Sequence, residues 1–187
     1  MELIFPFHGN EQLRTSNSKE NFALYHGNLG VGENNKAALF LAEQVFRQID
    51  YPLVLAGRNP SKELKEIVAQ RENIQLFENK NNDEIIDLIQ KAQINILPTF
   101  QSTGVKLKLI NALYNGGHCL VNGFMVKGTG LEDLCVIKEG RDEMRQGIIE
   151  LKTREFSVSD RNKREELLFD KLSDHKNAKA LIDIIFE

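Results

Sequence analysis

Residues 22–57 read FALYHGNLGVGENNKAALFLAEQVFRQIDYPLVLAG, and the pattern of this stretch decides the fold. Phe22 to His26 is an apolar run of strand length that stops at Gly27. From Glu33 to Ile49 the apolar residues Ala38, Leu41, Ala42, Val45 and Ile49 recur at the spacing of one buried helix face. Pro52-Leu-Val-Leu-Ala56 is strand-like again and is halted by Gly57. A strand, a glycine-rich loop, a helix and a second strand make one βαβ unit.

The same alternation continues outward. Ser61 offers an N-cap to a helix carrying Leu64, Ile67 and Val68, and Asn73–Phe77 is a third strand. Asn82 and Asp83 open a helix through Ile85, Ile86, Leu88 and Ile89, and Ile94–Leu97 is a fourth strand stopped by Pro98. A helix through Leu109, Ile110 and Leu113 ends at Gly116-Gly117. His118–Val121 and Leu134–Ile137 supply a fifth and a sixth strand. Residues 141–151 and 160–186 read as helices, with Leu167, Leu168, Leu172, Leu181, Ile182 and Ile185 as a packing stripe. Strands separated by helices at this interval predict an α/β fold, a doubly wound parallel sheet of about six strands, Rossmann-like in class. Residues 1–21 lack that periodicity and read as a linker or N-terminal arm, which leaves residues 22–187 as the domain.

Composition narrows the function classes. At 187 residues the chain is one domain's worth of sequence, and a net charge of −3 gives no general attraction to nucleic acid or anionic lipid. No apolar run approaches the ~20 residues that span a bilayer, and Met1–His8 lacks a basic segment followed by an apolar one. Cys119 and Cys135 sit inside apolar runs and read as small buried hydrophobes of a reducing compartment. These features predict a cytoplasmic protein with no transmembrane segment and no nucleic-acid partner.

In an open parallel sheet, ligands bind beyond the carboxyl ends of the strands. The first such loop, Gly27-Asn-Leu-Gly-Val-Gly-Glu-Asn-Asn-Lys36, allows close backbone approach and leads into a helix N-terminus. Its glycine order, G-x-x-G-x-G, differs from the dinucleotide fingerprint, and Gly57-Arg58 stands where a ribose-binding acid is expected. The loop after the fourth strand, Pro98 to Lys108, places Thr103 and Gly104 ahead of Lys106 and Lys108 at the positive end of a helix dipole. On a helix Lys106 and Lys108 differ by about 200°, so both point one way only if the helix begins at 105 or later. Gly104, Lys108 and Asn111 share one face. Arg58 follows the second strand and suits bidentate phosphate contact. Three cationic or glycine-rich loops at one sheet edge point to a ligand carrying phosphate, a diphosphate in particular.

The run Gly104-Val-Lys-Leu-Lys-Leu-Ile-Asn-Ala112, then Gly116 and His118-Cys-Leu-Val121, resembles the group 1 glycosyltransferases of the GT-B fold, in their family-4-like branch. Tyr25-His-Gly-Asn-Leu29, Leu53-Val-Leu-Ala-Gly57, Asp87-Leu-Ile-Gln-Lys-Ala92 and Ile94-Asn-Ile-Leu-Pro98 fall in the order of that family's donor-binding half. The similarity spans about residues 20 to 185, and Phe5–Asn10 looks like the linker leading into that half.

The resemblance implies a retaining, hexosyltransferase-like enzyme that uses a nucleotide diphosphate sugar as donor, with neither cofactor nor bound metal. Its acceptor would be held by a separate N-terminal domain that this chain lacks. No turnover is then expected from this chain alone. By position, Gly27 and Asn28 would lie against the diphosphate, with Lys36 or Arg58 able to reach it. Thr103 and Gly104 would offer N–H groups, and Lys106 or Lys108 would supply charge. Asn111 matches the glutamate that holds the ribose hydroxyls, and the base would lie on backbone groups of Phe77 to Asn79. No catalytic residue is assigned.

Members of the family carry Arg where Asn28 stands. Gln101 and Thr103 occupy the region of a further glutamate. What the family suggests is surface polysaccharide or glycoconjugate synthesis, on the cytoplasmic side or peripherally at the inner membrane face. Asn28 and Asn111 keep open a non-catalytic relative that binds a nucleotide or a partner. The glycine order disfavours a nicotinamide enzyme.

Overall fold

The structure, a computed structural model, describes residues 7–15, 18–101 and 103–186. Six strands form one parallel sheet: β1 (Glu20–Asn28), β2 (Leu53–Arg58), β3 (Ile74–Glu78), β4 (Ala92–Ile96), β5 (His118–Val121) and β6 (Val136–Ile137), in the order β3-β2-β1-β4-β5-β6. Strand order runs one way from β1 to β3 and the other way from β4 to β6. The loops after β1 and β4 therefore diverge and leave a crevice between them, the topological switch point.

Among the described residues the α-helices are α1 (Gly32–Leu39), α2 (Lys62–Ala69), α3 (Asn82–Lys91), α4 (Leu107–Asn115), α5 (Gly123–Val126), α6 (Gly140–Leu151), α7 (Val158–Leu172) and α8 (Asp174–Phe186). The α1–α2 layer and α6 pack together on one side of the sheet, and α3 packs on α4 on the other. Phe22–His26 and Leu53–Gly57 are buried residue by residue, as strands covered on both faces must be. No helix among the described residues is long and apolar enough to cross a membrane.

Three expectations need correction. Leu181, Ile182 and Ile185, read as part of a packing stripe, are exposed on α8. The helix read as continuous over 33–49 leaves α geometry after Leu39, widening into a π segment at Phe40–Val45 and closing with a 3₁₀ turn at Phe46–Gln48. Its last carbonyls are taken up from outside. Arg145 on α6 donates to Val45 O at 3.1 Å and also bonds Gln44 O, a long-range partner with no trace in the local periodicity. The first strand also starts earlier, at Glu20, inside the stretch read as the arm. The rest of the described arm is held by the helices: Arg14 N donates to Tyr114 O at 2.8 Å and Gly9 N to the Asp174 carboxylate at 2.9 Å. Residues 1–6, 16 and 17 of the predicted linker, and Ser102 of the β4 loop, lie outside the described residues.

Local chemistry sets the helix starts. Ser61 Oγ accepts from Leu64 N at 3.1 Å, the cap expected from its position before the apolar stripe. Replacing Ser61 by Ala strands that N–H and should lower unfolding stability by about 1 kcal/mol, measured by urea denaturation; an unchanged midpoint would show the cap to be idle. Asn81 and Glu84 form a capping box at α3, as do Ser157 and Asp160 at α7. By contrast α1 and α4 begin with no side-chain cap, as do α5 and α6. What sets α1 and α4 apart is that both start at the switch point.

Candidate functional site

The two loops at the switch point are tied to each other and to the sheet. Glu33, in the first turn of α1, accepts from Thr99 Oγ1 at 2.9 Å and from Phe100 N, which fastens α1 to the loop after β4. On its other side Thr99 is clasped by Asn122. Its N–H donates to Asn122 Oδ1 at 3.0 Å, and Asn122 Nδ2 donates to Thr99 O at 2.6 Å. Thr99 and Asn122 are both buried. The start of the β4 loop is thus held from α1 and from the end of β5 at once.

Across this crevice reaches Lys108. It leaves the first turn of α4 and donates to Asn34 Oδ1 at 2.5 Å and to Tyr25 Oη at 3.2 Å. A Cβ placed on Gly27 would lie 3.5 Å from Lys108 Nζ, so this amine stands directly over the β1 turn. Gly27 has φ of 154°, a conformation L side chains rarely adopt, and that turn orients the loop toward Lys108. Burial drives the Lys108 ammonium down to about 8; Glu33 opposes the shift and Lys106 adds to it. The site therefore holds a cation that is short of counter-charge.

Asn28 closes the β1 turn on itself. Its Oδ1 accepts from Gly30 N at 3.1 Å, and its carbonyl accepts from Asn34 Nδ2 at 2.9 Å. Beyond it a cleft of about 280 Å³ runs past Gly57 and Arg58 toward Lys80 and the start of α3. His26 lines this cleft, and its imidazole is driven down to about 3, first by burial and then by Lys108, which keeps it neutral.

The ten residues singled out from sequence are only partly brought together. Gly27, Asn28 and Lys108 meet at the switch point, and Arg58 stands at the end of the adjoining strand, exposed along the cleft. Because α4 begins at Leu107, Lys106 is its N-cap, and its ammonium turns back to Gln101 O at 2.9 Å and Thr103 O at 3.1 Å. Thr103 and Gly104 are exposed on that same loop. Lys36 is spent on the outside of the crevice, 4.7 Å over the Phe100 ring. Asn111 turns to the arm: its Oδ1 accepts from Asn10 Nδ2 at 3.0 Å, and Asn115 bridges to both asparagines. Phe77 packs half-buried against the core with Lys80 5.7 Å from its ring, and the far wall of the cleft is Lys80, Asn81 and Asn82 instead.

Sequence reasoning missed Tyr25, Glu33, Asn34, Thr99 and Asn122. Only Glu33 and Asn34 carried a usable signal, as polar residues in the first turn after a glycine loop. Among the described residues no cluster of three or more His, Cys, Asp and Glu side chains is poised to hold a metal ion.

The sequence profile of the family described as Glycosyl transferases group 1 matches residues 20–151. Among solved structures the chain is similar to AviGT4, described as a glycosyltransferase involved in avilamycin A biosynthesis, at 16% identity with a TM-score of 0.67 over 97% of this chain. It is also similar to TarM, at 12% identity with a TM-score of 0.74 over 96% of this chain. The chain spans 55% of AviGT4 and 38% of TarM. No curated protein sequence matches it.

Proposed function

The chain belongs to the group 1 glycosyl transferases, and on that premise we propose that it is the donor-binding half of a retaining glycosyltransferase. It would hold a nucleotide diphosphate sugar while a separate N-terminal domain presents the acceptor. In the transfer, the bond between the sugar's anomeric carbon and the diphosphate oxygen breaks, the acceptor oxygen bonds that carbon and loses its proton, and the nucleoside diphosphate leaves.

The carrying observation is Lys108 standing over the Gly27 turn between the starts of α1 and α4. A protonated amine, two helix dipoles and a backbone turn open to close approach all favour the negative charge that builds on a departing diphosphate. Thr103, Gly104 and Lys106 extend the same wall on the exposed loop, and Arg58 reaches from β2. Surface polysaccharide or glycoconjugate synthesis is the process this family reading suggests.

Calorimetric titration of the chain with UDP, GDP and ADP against their monophosphates tests the proposal. UDP is included because it is bound in a structure of a TarM variant from S. aureus. One diphosphate is expected to bind at least ~10-fold more tightly than its monophosphate, the worth of one charge-assisted hydrogen bond. Equal affinities for each diphosphate and its monophosphate would remove the diphosphate site.

A second reading, a nucleotide-binding relative without transfer, is favoured by Asn111, whose amide is already engaged by Asn10. The two part on sugar release: a competent donor half supplemented with its acceptor domain turns over donor, and a non-catalytic relative binds it unchanged.

A further inference from the structure

His26 is set apart from the rest of its strand. It is 5% exposed, yet its Nε2 is buried without a hydrogen-bond partner among the described residues. The neighbouring Tyr25 has its hydroxyl bonded to Asn34 O, and Lys108 is engaged by Tyr25 and Asn34, so neither serves the imidazole. Native interiors rarely keep such an orphan unless something outside the chain completes it. An aliphatic residue would continue the pattern of Phe22–Leu24 without that cost.

The orphaned histidine lines the cleft beside the switch point. This cleft opens at Gly27, where the diphosphate would sit, and runs away from Lys108 past Gly57 to Asn82 and Ile85. Its far cation is neutralised, since Lys80 Nζ lies 2.6 Å from Glu84 Oε1. Beyond Arg58 the walls are therefore neutral, a setting for an uncharged polar group and not for a further phosphate.

We propose that His26 reads the nucleoside of the bound nucleotide, its Nε2 hydrogen-bonding a base or ribose group lodged in the cleft between Gly27 and the start of α3. The inference rests on the diphosphate reading above and extends it to a specificity-determining residue. Burial first and Lys108 second hold the imidazole in its neutral form, which offers one N–H and one lone pair.

The test separates nucleoside from phosphate. His26→Phe fills the same volume without Nε2, and Asn82→Trp blocks the cleft from an exposed position at the start of α3. Each is titrated with the diphosphate that the wild-type chain binds best and, separately, with inorganic pyrophosphate. Both variants should weaken the nucleoside diphosphate about tenfold or more while leaving pyrophosphate within twofold, and His26→Gln should recover part of the loss. Unchanged nucleotide affinity in His26→Phe and Asn82→Trp, or an equal loss for pyrophosphate, overturns the role of His26 and leaves the diphosphate site standing. Failure of the wild type to bind any nucleoside diphosphate overturns both.

Discussion

Replacing Lys108 by Met is expected to weaken nucleoside diphosphate binding by about 30-fold or more and, at the same time, to raise the thermal midpoint of the free protein. The two effects share one cause. Lys108 is largely withdrawn from water at the switch point, where its hydroxyl and amide partners are neutral, and burial holds its ammonium down to about 8. Its ordinary value is 10.5, so at neutral pH the fold keeps a charge that its surroundings disfavour. Methionine fills the channel without that charge and relieves the penalty. A bound diphosphate supplies the missing counter-charge, which is why the same amine is costly alone and favourable when occupied.

The pH dependence follows with a definite sign. Below about pH 7 the free protein already carries the proton, and Lys108 adds no slope to the affinity there. Above about 8 binding must take one up, so affinity falls by up to tenfold per unit until the raised value in the complex is reached. In Lys108→Met that slope should vanish. Calorimetry from pH 6 to 9.5, with melting curves of both proteins, provides the check. A stabilised variant that binds as well as the wild type would assign the charge to another residue.

The parts of this molecule legible in its sequence are those fixed by neighbours along the chain. Strand-length apolar runs and period-3.6 patterns mark six strands and their helices, and the Ser61 cap is visible because its partner lies three residues on. The switch point is legible at one remove, since right-handed crossovers and strand order place the loops after β1 and β4 together. What stays hidden is decided by residues far apart in sequence. Lys106 and Lys108 look alike in the string, yet one bonds carbonyls of its own loop and the other crosses 74 positions to Asn34. Asn111 shares a helical face with Lys108, but Asn10, 101 positions away, takes its amide. His26 reads as an ordinary strand end because orphaning is a property of its surroundings, which no local pattern encodes.

Gly57→Ala should be the most damaging single-methyl change at this sheet edge, costing ~4 kcal/mol or more of unfolding stability. A Cβ at that position would fall 1.9 Å from Gly27 O and 3.0 Å from Leu29 Cγ. Both obstacles are awkward to move. Gly27 is paired with Gly57 across the parallel ladder, its carbonyl is set by the turn that faces Lys108, and Leu29 is buried in the core. Relief requires β1 and β2 to part at their carboxyl ends, where Asn79 N also bonds Gly57 O at 3.1 Å.

Gly32, the first residue of α1, supplies the control. A Cβ there meets nothing within 4 Å, so Gly32→Ala should be neutral or stabilising by up to ~1 kcal/mol through the lost backbone freedom of the unfolded chain. Urea denaturation of the two variants side by side tests the pair. If Gly57→Ala matched Gly32→Ala, the strands would not approach as closely as the Gly27–Gly57 pairing demands. The turn under Lys108 would then be free to move, and with it the geometry on which the diphosphate site depends.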